Sequence, residues 1–170
     1  MRRLSSSAVI LAMTLAAVAG CTKVNKPTAD STPPTLTWHV ENLTTSTTVD
    51  IAGSGQVNAA GGDDFHITLT AADPEGIHKI TYGGGYTRSC VNGNLGQSGE
   101  GDFAGQTQDL EPDAQNKVLT SIFLLDTVNP DITCSGIGYV WKGTTITLVG
   151  SGTNYFSGVT NGTLTIDVHP

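Results

Sequence analysis

The chain has 170 residues, 14% of them charged, and a formal net charge of −7. That charge fraction is too low for a coiled coil or a charge-rich disordered chain, and the negative sign argues against a nucleic-acid partner, which needs a basic face. The length predicts one domain with a short tail.

Arg2 and Arg3 open the chain, and Ala8 to Ala19 run apolar apart from Thr14. Twelve residues are too few to cross about 30 Å of hydrocarbon as a helix. A basic start, a short apolar run and small residues at its end describe a secretory signal peptide. The run closes on Val18-Ala19-Gly20-Cys21. This stretch resembles the bacterial lipobox, an aliphatic residue and two small residues before a Cys. The resemblance implies that residues 1–20 are removed and that Cys21 becomes a lipidated N-terminus, its thiol carrying diacylglycerol and its new amino group often acylated (palmitate is a typical chain). Two or more chains give stable anchoring where one is marginal, at about 0.8 kcal/mol per buried methylene.

Cleavage would leave six Lys and Arg against fifteen Asp and Glu, 6 − 15 = −9. An anionic membrane surface does not attract such a chain, so the lipid alone would hold it. Thr22 follows the Cys; resemblance to enterobacterial lipoproteins, in which Asp there retains the protein in the inner membrane, implies outer-membrane sorting in a Gram-negative envelope.

Residues 22–34 hold three Pro and almost nothing apolar. With Cys21 they form a flexible tether (21–34) that lifts the domain off the membrane without fixing its orientation. From residue 35 to 170 the pattern has period two. Leu36, Trp38 and Val40 share one face of a first strand; Phe65, Ile67, Leu69 and Ala71 share one face of another, with His66, Thr68 and Thr70 opposite. Ile77 to Tyr82 continues with β-formers. Val118 to Val128 is apolar on both faces, the pattern of a central strand, and Ile132 to Trp141, Thr144 to Val149 and Thr163 to Val168 read as further strands. Turn-rich stretches separate them at Ala60-Gly61-Gly62-Asp63, Asp73-Pro74-Glu75-Gly76, Asn129-Pro130-Asp131 and Asn161-Gly162. Thr occurs 25 times and no helical stripe is present in the mature part. The expectation is all-β: an antiparallel β-sandwich of seven to nine strands.

The segment Ile67 to Ile77, with Ala71-Ala72-Asp73-Pro74-Glu75-Gly76-Ile77 at its end, resembles the strand-turn-strand of bacterial immunoglobulin-like domains; Gly162 to Val168 resembles their last strand. The resemblance implies a structural or adhesive module and supplies no catalytic residues. One departure stands out: Cys90 and Cys134 do not fall on the strands of the antibody disulfide, and no Trp lies between them. The topology therefore stays open.

Residues 92–106 hold five Gly in fifteen positions and predict a loop with an acidic and aromatic tip at Glu100, Asp102 and Phe103. With Cys21 spent on lipid, Cys90 and Cys134 form an even pair in an exported chain, which reads as a disulfide; there is no CxxC spacing for zinc or redox chemistry.

Catalytic signals fail in turn. His39, His66, His78 and His169 make no HxH or HExxH spacing, so the copper-zinc superoxide dismutase pattern is absent, and no cofactor is indicated. Gly96-Gln97-Ser98-Gly99-Glu100 lacks the last Gly of G-x-S-x-G, and no GxxxxGK[ST] loop exists. If the strands at 64–71 and 118–127 are antiparallel neighbours, Asp63, Asp64 and Asp126 meet at one end, where Asp131 could join them as oxygen ligands for calcium. Asp73 and Glu75 fall roughly 30 Å away at the other end, and turn capping by Asp is the simpler reading of these acids, so no metal site is assigned. The sequence thus predicts a non-catalytic lipoprotein of the cell envelope. It would be lipid-anchored on the extracytoplasmic side and act as an interaction, adhesion or envelope-structure module toward an envelope protein or surface ligand. The alternative is an exported enzyme or calcium-binding protein.

Overall fold

The structure is a computed structural model that describes residues 32–110 and 134–170, and between them the backbone course of the strand 118–125. Nine strands are described, with no helix: β1 Thr35–Asn42, β2 Thr47–Ala52, β3 Gly55–Ala60, β4 Phe65–Ala72, β5 Ile77–Asn92, β6 Leu95–Asp109, β7 Val118–Leu125, β8 Val140–Asn154 and β9 Val159–His169. They form two sheets, in the orders β2-β1-β4-β7 and β3-β9-β8-β5-β6. The architecture is an all-β sandwich of two packed sheets. The chain crosses from β4 in the first sheet to β5 in the second, returns for β7 beside β4, and ends with β8 and β9 back in the second. All pairs are antiparallel except β3 on β9. This parallel pair departs from the all-antiparallel expectation. Gly53, at a φ of 64°, reverses the chain after β2 and delivers β3 to the opposite sheet in the same direction as β9.

Alternation dictates the core. Leu36, Trp38 and Val40 on β1 and Phe65, Ile67, Leu69 and Ala71 on β4 are buried, as their period-two spacing predicts. They meet Ile80, Tyr82, Ile146, Leu148, Leu164 and Ile166 of the second sheet. Trp38 is the central peg. Its ring lies over Gly150 of β8, which pairs with Gly162 of β9, and its indole Nε1–H donates to the Gly53 carbonyl at 3.0 Å. A side chain at 150 would collide with it: a Cβ there would sit 2.8 Å from Trp38 Cζ2 and 2.6 Å from Leu69 Cδ2.

Three expectations are corrected. Residues 92–106 are not a loop. Asn92 pairs with Leu95 around Gly93-Asn94, and β6 then runs fifteen residues along β5. Its glycines do not break the strand; they give room to large side chains across the ladder. A Cβ at Gly101 would lie 2.5 Å from Tyr86 Cε1, and one at Gly99 would lie 2.8 Å from Arg88 Nη2.

The strand expected from Ile132 to Trp141 is corrected over residues 134–139, and Ile132 itself lies outside the described residues. Residues 134–139 form bends and turns in which Gly136 and Gly138 take φ values of 115° and 84°, and β8 begins only at Val140. The segment read as a central strand is β7, the outermost of its sheet among the described residues. An apolar run reports on the two faces of a strand, whereas hydrogen-bonded neighbours lie along its edges. β7 does pair antiparallel with β4, Phe65 opposite Leu125. Residues 126–128 lie outside the described residues.

Candidate functional site

The sandwich has two unlike ends. At one end lie the start of β1, the β4–β5 turn and the β8–β9 turn. In the β4–β5 turn, Asp73 accepts the Glu75 amide at 2.9 Å, its carbonyl accepts the Gly76 amide at 3.1 Å, and Gly76 takes a φ of 108°. These contacts explain the spacing of Asp and Gly in the motif ending at Ile77, which is fully buried. The other Asp73 oxygen accepts from Asn154 Nδ2 at 3.1 Å. Asn154 is itself 1% exposed and holds four groups. Its Nδ2 also donates to the Thr32 carbonyl at 3.0 Å, and its Oδ1 accepts the amides of Phe156 and Gly158 at 3.0 and 2.8 Å. The Thr160 hydroxyl donates to the Pro34 carbonyl. Residues 32–34, read from sequence as the last part of a free tether, are thus fastened to this end. The incoming chain has a fixed point of entry.

The opposite end carries the β5–β6 hairpin tip and the segment leading into β8. Cys90, buried on β5, is disulfide-bonded to Cys134 with Cα atoms 5.9 Å apart, so the pair expected from cysteine counting is present. Asn92 Nδ2 adds a hydrogen bond to the Ile137 carbonyl at 3.1 Å. Held this way, the tip presents Ile137 fully exposed, Leu95 at 63% and Val140 at 57%. Beneath them Trp141 is buried and donates from Nε1 to the Thr144 hydroxyl at 3.0 Å. Along β8, fourteen steps of about 3.3 Å put this apolar tip ~45 Å from Asn154.

The remaining candidates are placed as follows. Cys21 lies outside the described residues, as do Asp126 and Asp131. Asp63 is buried and occupied: its Oδ2 accepts Asn42 Nδ2 at 3.0 Å and the Ala60 amide at 2.9 Å, which closes the turn from Ala60 to Asp63. The neighbouring Asp64 amide donates to the Thr44 hydroxyl at 3.0 Å. The four histidines sit on four different strands. His39 Nδ1 lies 2.6 Å from Asp50 Oδ1 and His66 Nδ1 3.4 Å from Glu41 Oε2, both on the outer face of the first sheet; His78 Nδ1 meets the Leu110 carbonyl at 3.1 Å. Among the described residues, no group of three or more His, Cys, Asp or Glu is arranged to hold a metal ion.

A shallow groove of about 380 Å³ crosses the outer face of the second sheet beside Gly85, with Thr145 and Thr147 on one side and Glu100 and Asp102 on the other. Sequence reading missed Asn154, the apolar tip and this groove. The Gly93-Asn94 pair between β-forming residues was the available signal for the hairpin that builds two of them. No protein-family model matches the chain, and no curated protein matches it.

Proposed function

We infer that the protein is a lipid-anchored lipoprotein of the bacterial cell envelope whose sandwich is a non-catalytic interaction module facing away from the membrane. The opposition of the two ends carries this reading. The lipobox-like Val18-Ala19-Gly20-Cys21 feeds a Pro-containing segment, and that segment joins the domain at the Asn154 end. The exposed apolar residues Leu95, Ile137 and Val140 stand at the other end. From Cys21 to Thr32, eleven residues reach at most about 40 Å. A lipid at Cys21 would keep the Asn154 end within that reach of the bilayer and leave the disulfide-braced tip, at the far end of the domain, free to meet an envelope protein or surface ligand. In a Gram-negative envelope, Thr22 favours the outer membrane. Apolar residues on a rigid, cross-linked turn suit protein recognition, because little conformational entropy is lost when they dock.

Two experiments test this. Cys21→Ser should move the protein from the membrane to the soluble fraction; retention in the membrane refutes lipid anchoring. A photo-crosslinking residue at 137 in native cells should give a discrete adduct that one at Thr48, on the exposed β2, does not. Equal or absent labelling from both refutes recognition through the tip.

A further inference from the structure

The groove on the outer face of the second sheet is built by missing side chains. Outward positions along β5 are Lys79, Thr81, Gly83, Gly85 and Thr87, so the middle of the strand exposes bare main chain. Nothing larger than hydrogen fits there without movement. A Cβ at Gly85 would sit 2.7 Å from the Gly101 carbonyl and 3.1 Å from Asp102 Oδ1, and one at Gly83 would sit 3.3 Å from Gly105 Cα. One wall is β8, with Thr145, Thr147 and Val149; the other is β6, with Glu100 and Asp102; Thr87 closes one end. At about 380 Å³ the space falls in the range of small-molecule sites, roughly 300–1,000 Å³.

The lining selects the ligand. No Lys, Arg or His lines the groove, and the two carboxylates share it with three threonines and Tyr86. A phosphate or an acidic sugar would meet like charge without compensation. An extended peptide gains little either. β5 is hydrogen-bonded to β8 on one side and β6 on the other, so the floor offers no free strand edge to lengthen. A ligand that brings its own hydroxyls fits. Carboxylate oxygens accept from neighbouring hydroxyls, threonine hydroxyls both donate and accept, and Val149 with the threonine methyl groups meets the C–H face of a sugar ring. From this geometry we propose that the groove binds a saccharide, neutral or amine-bearing and not anionic. The site is independent of the lipid anchor and of the apolar tip.

The test is an amide chemical-shift titration of the mature chain carrying Cys21→Ser. The probes are maltotriose, chitotriose, the chitosan trisaccharide, trigalacturonate and trilysine. Expected are saturating shifts confined to Gly85, Thr87, Thr145, Thr147 and their neighbours with at least one of the first three, and none with trigalacturonate. The exposed pair Glu100→Gln with Asp102→Asn should weaken that binding about tenfold or more, the scale of losing hydrogen bonds to a charged group, with the rest of the spectrum unchanged. Silence with all three neutral or amino trisaccharides overturns the proposal, as does saturation by trigalacturonate, or by trilysine in their place. So does binding that the double variant leaves intact.

Discussion

The contact between Trp38 and Gly150 turns a claim about the core into numbers. In the middle of a strand, Gly is about 0.5–1 kcal/mol worse than Ala, so local propensity alone makes Gly150→Ala stabilising. The structure predicts the opposite. The new Cβ would stand 2.6 Å from Leu69 Cδ2 and 2.8 Å from Trp38 Cζ2, both buried core side chains. Overpacking of this kind costs about 1–3 kcal/mol, which exceeds the propensity gain. A net loss of about 1 kcal/mol lowers the melting temperature by roughly 2–4 °C in a domain of this size. Trp38→Phe alone loses the 3.0 Å hydrogen bond to the Gly53 carbonyl, about 1 kcal/mol, together with buried ring area. Combined with Gly150→Ala, however, the smaller ring vacates the space the methyl needs. The double variant should therefore be more stable than the sum of the two losses by about 1 kcal/mol or more. Urea unfolding followed by circular dichroism on all four proteins measures this cycle. Strict additivity, or a stabilising Gly150→Ala, would refute the assignment of Trp38 as the peg between the sheets.

Other consequences are testable in the same way. Replacing Cys90 and Cys134 together with Ala opens a loop of about 45 residues, and the chain-entropy model puts the loss near 4 kcal/mol; non-reduced peptide mapping should first show the two half-cystines joined. Asn154→Ala strips partners from Asp73, from the Thr32 carbonyl and from two amides. It should destabilise by about 1–3 kcal/mol and make the chain ahead of β1 more open to protease than in the parent. Ile137→Ser and Leu95→Ser act on exposed side chains and should leave stability within about 0.5 kcal/mol, so any effect on crosslinking at the tip reads recognition and not folding. Millimolar calcium should leave the melting temperature unchanged, since the buried oxygen of Asp63 already serves its turn; a clear rise would revive the acidic end as an ion site.

What the sequence revealed follows from which physical signal is local. The faces of β1 and β4 were readable because one side of each is buried and the other is not, so alternation marks Trp38 and Ile67 directly. The same logic failed on β6. Its inward positions include Gly99 and Gly101, where the partner strand supplies the bulk through Arg88 and Tyr86. A strand whose neighbours fill its space carries no pattern of its own. The short strands β2 and β3 were also missed, because β2 is exposed on nearly every residue and has no apolar face to betray it. The disulfide was legible from counting alone. Its position on β5 and in the segment before β8 was not, because that depends on the long hairpin. The apolar tip is legible only in three dimensions: Leu95 is far in sequence from Ile137 and Val140, and each is unremarkable singly.

The acidic balance and the proposed anchor fit one picture. With residues 1–20 removed the formal charge would be −9, which gives no electrostatic attraction to an anionic bilayer. The whole arrangement of a fastened Asn154 end and an outward tip acquires meaning only if the chain ahead of Thr32 is tied down. Intact and peptide mass spectrometry of the native protein, purified from the organism's membranes, reads that directly. The expected N-terminal peptide begins at residue 21 and carries diacylglycerol on sulfur, with or without a further acyl group on nitrogen. A peptide that still holds residues 1–20, or one that starts beyond residue 21 with no acyl mass, contradicts the account.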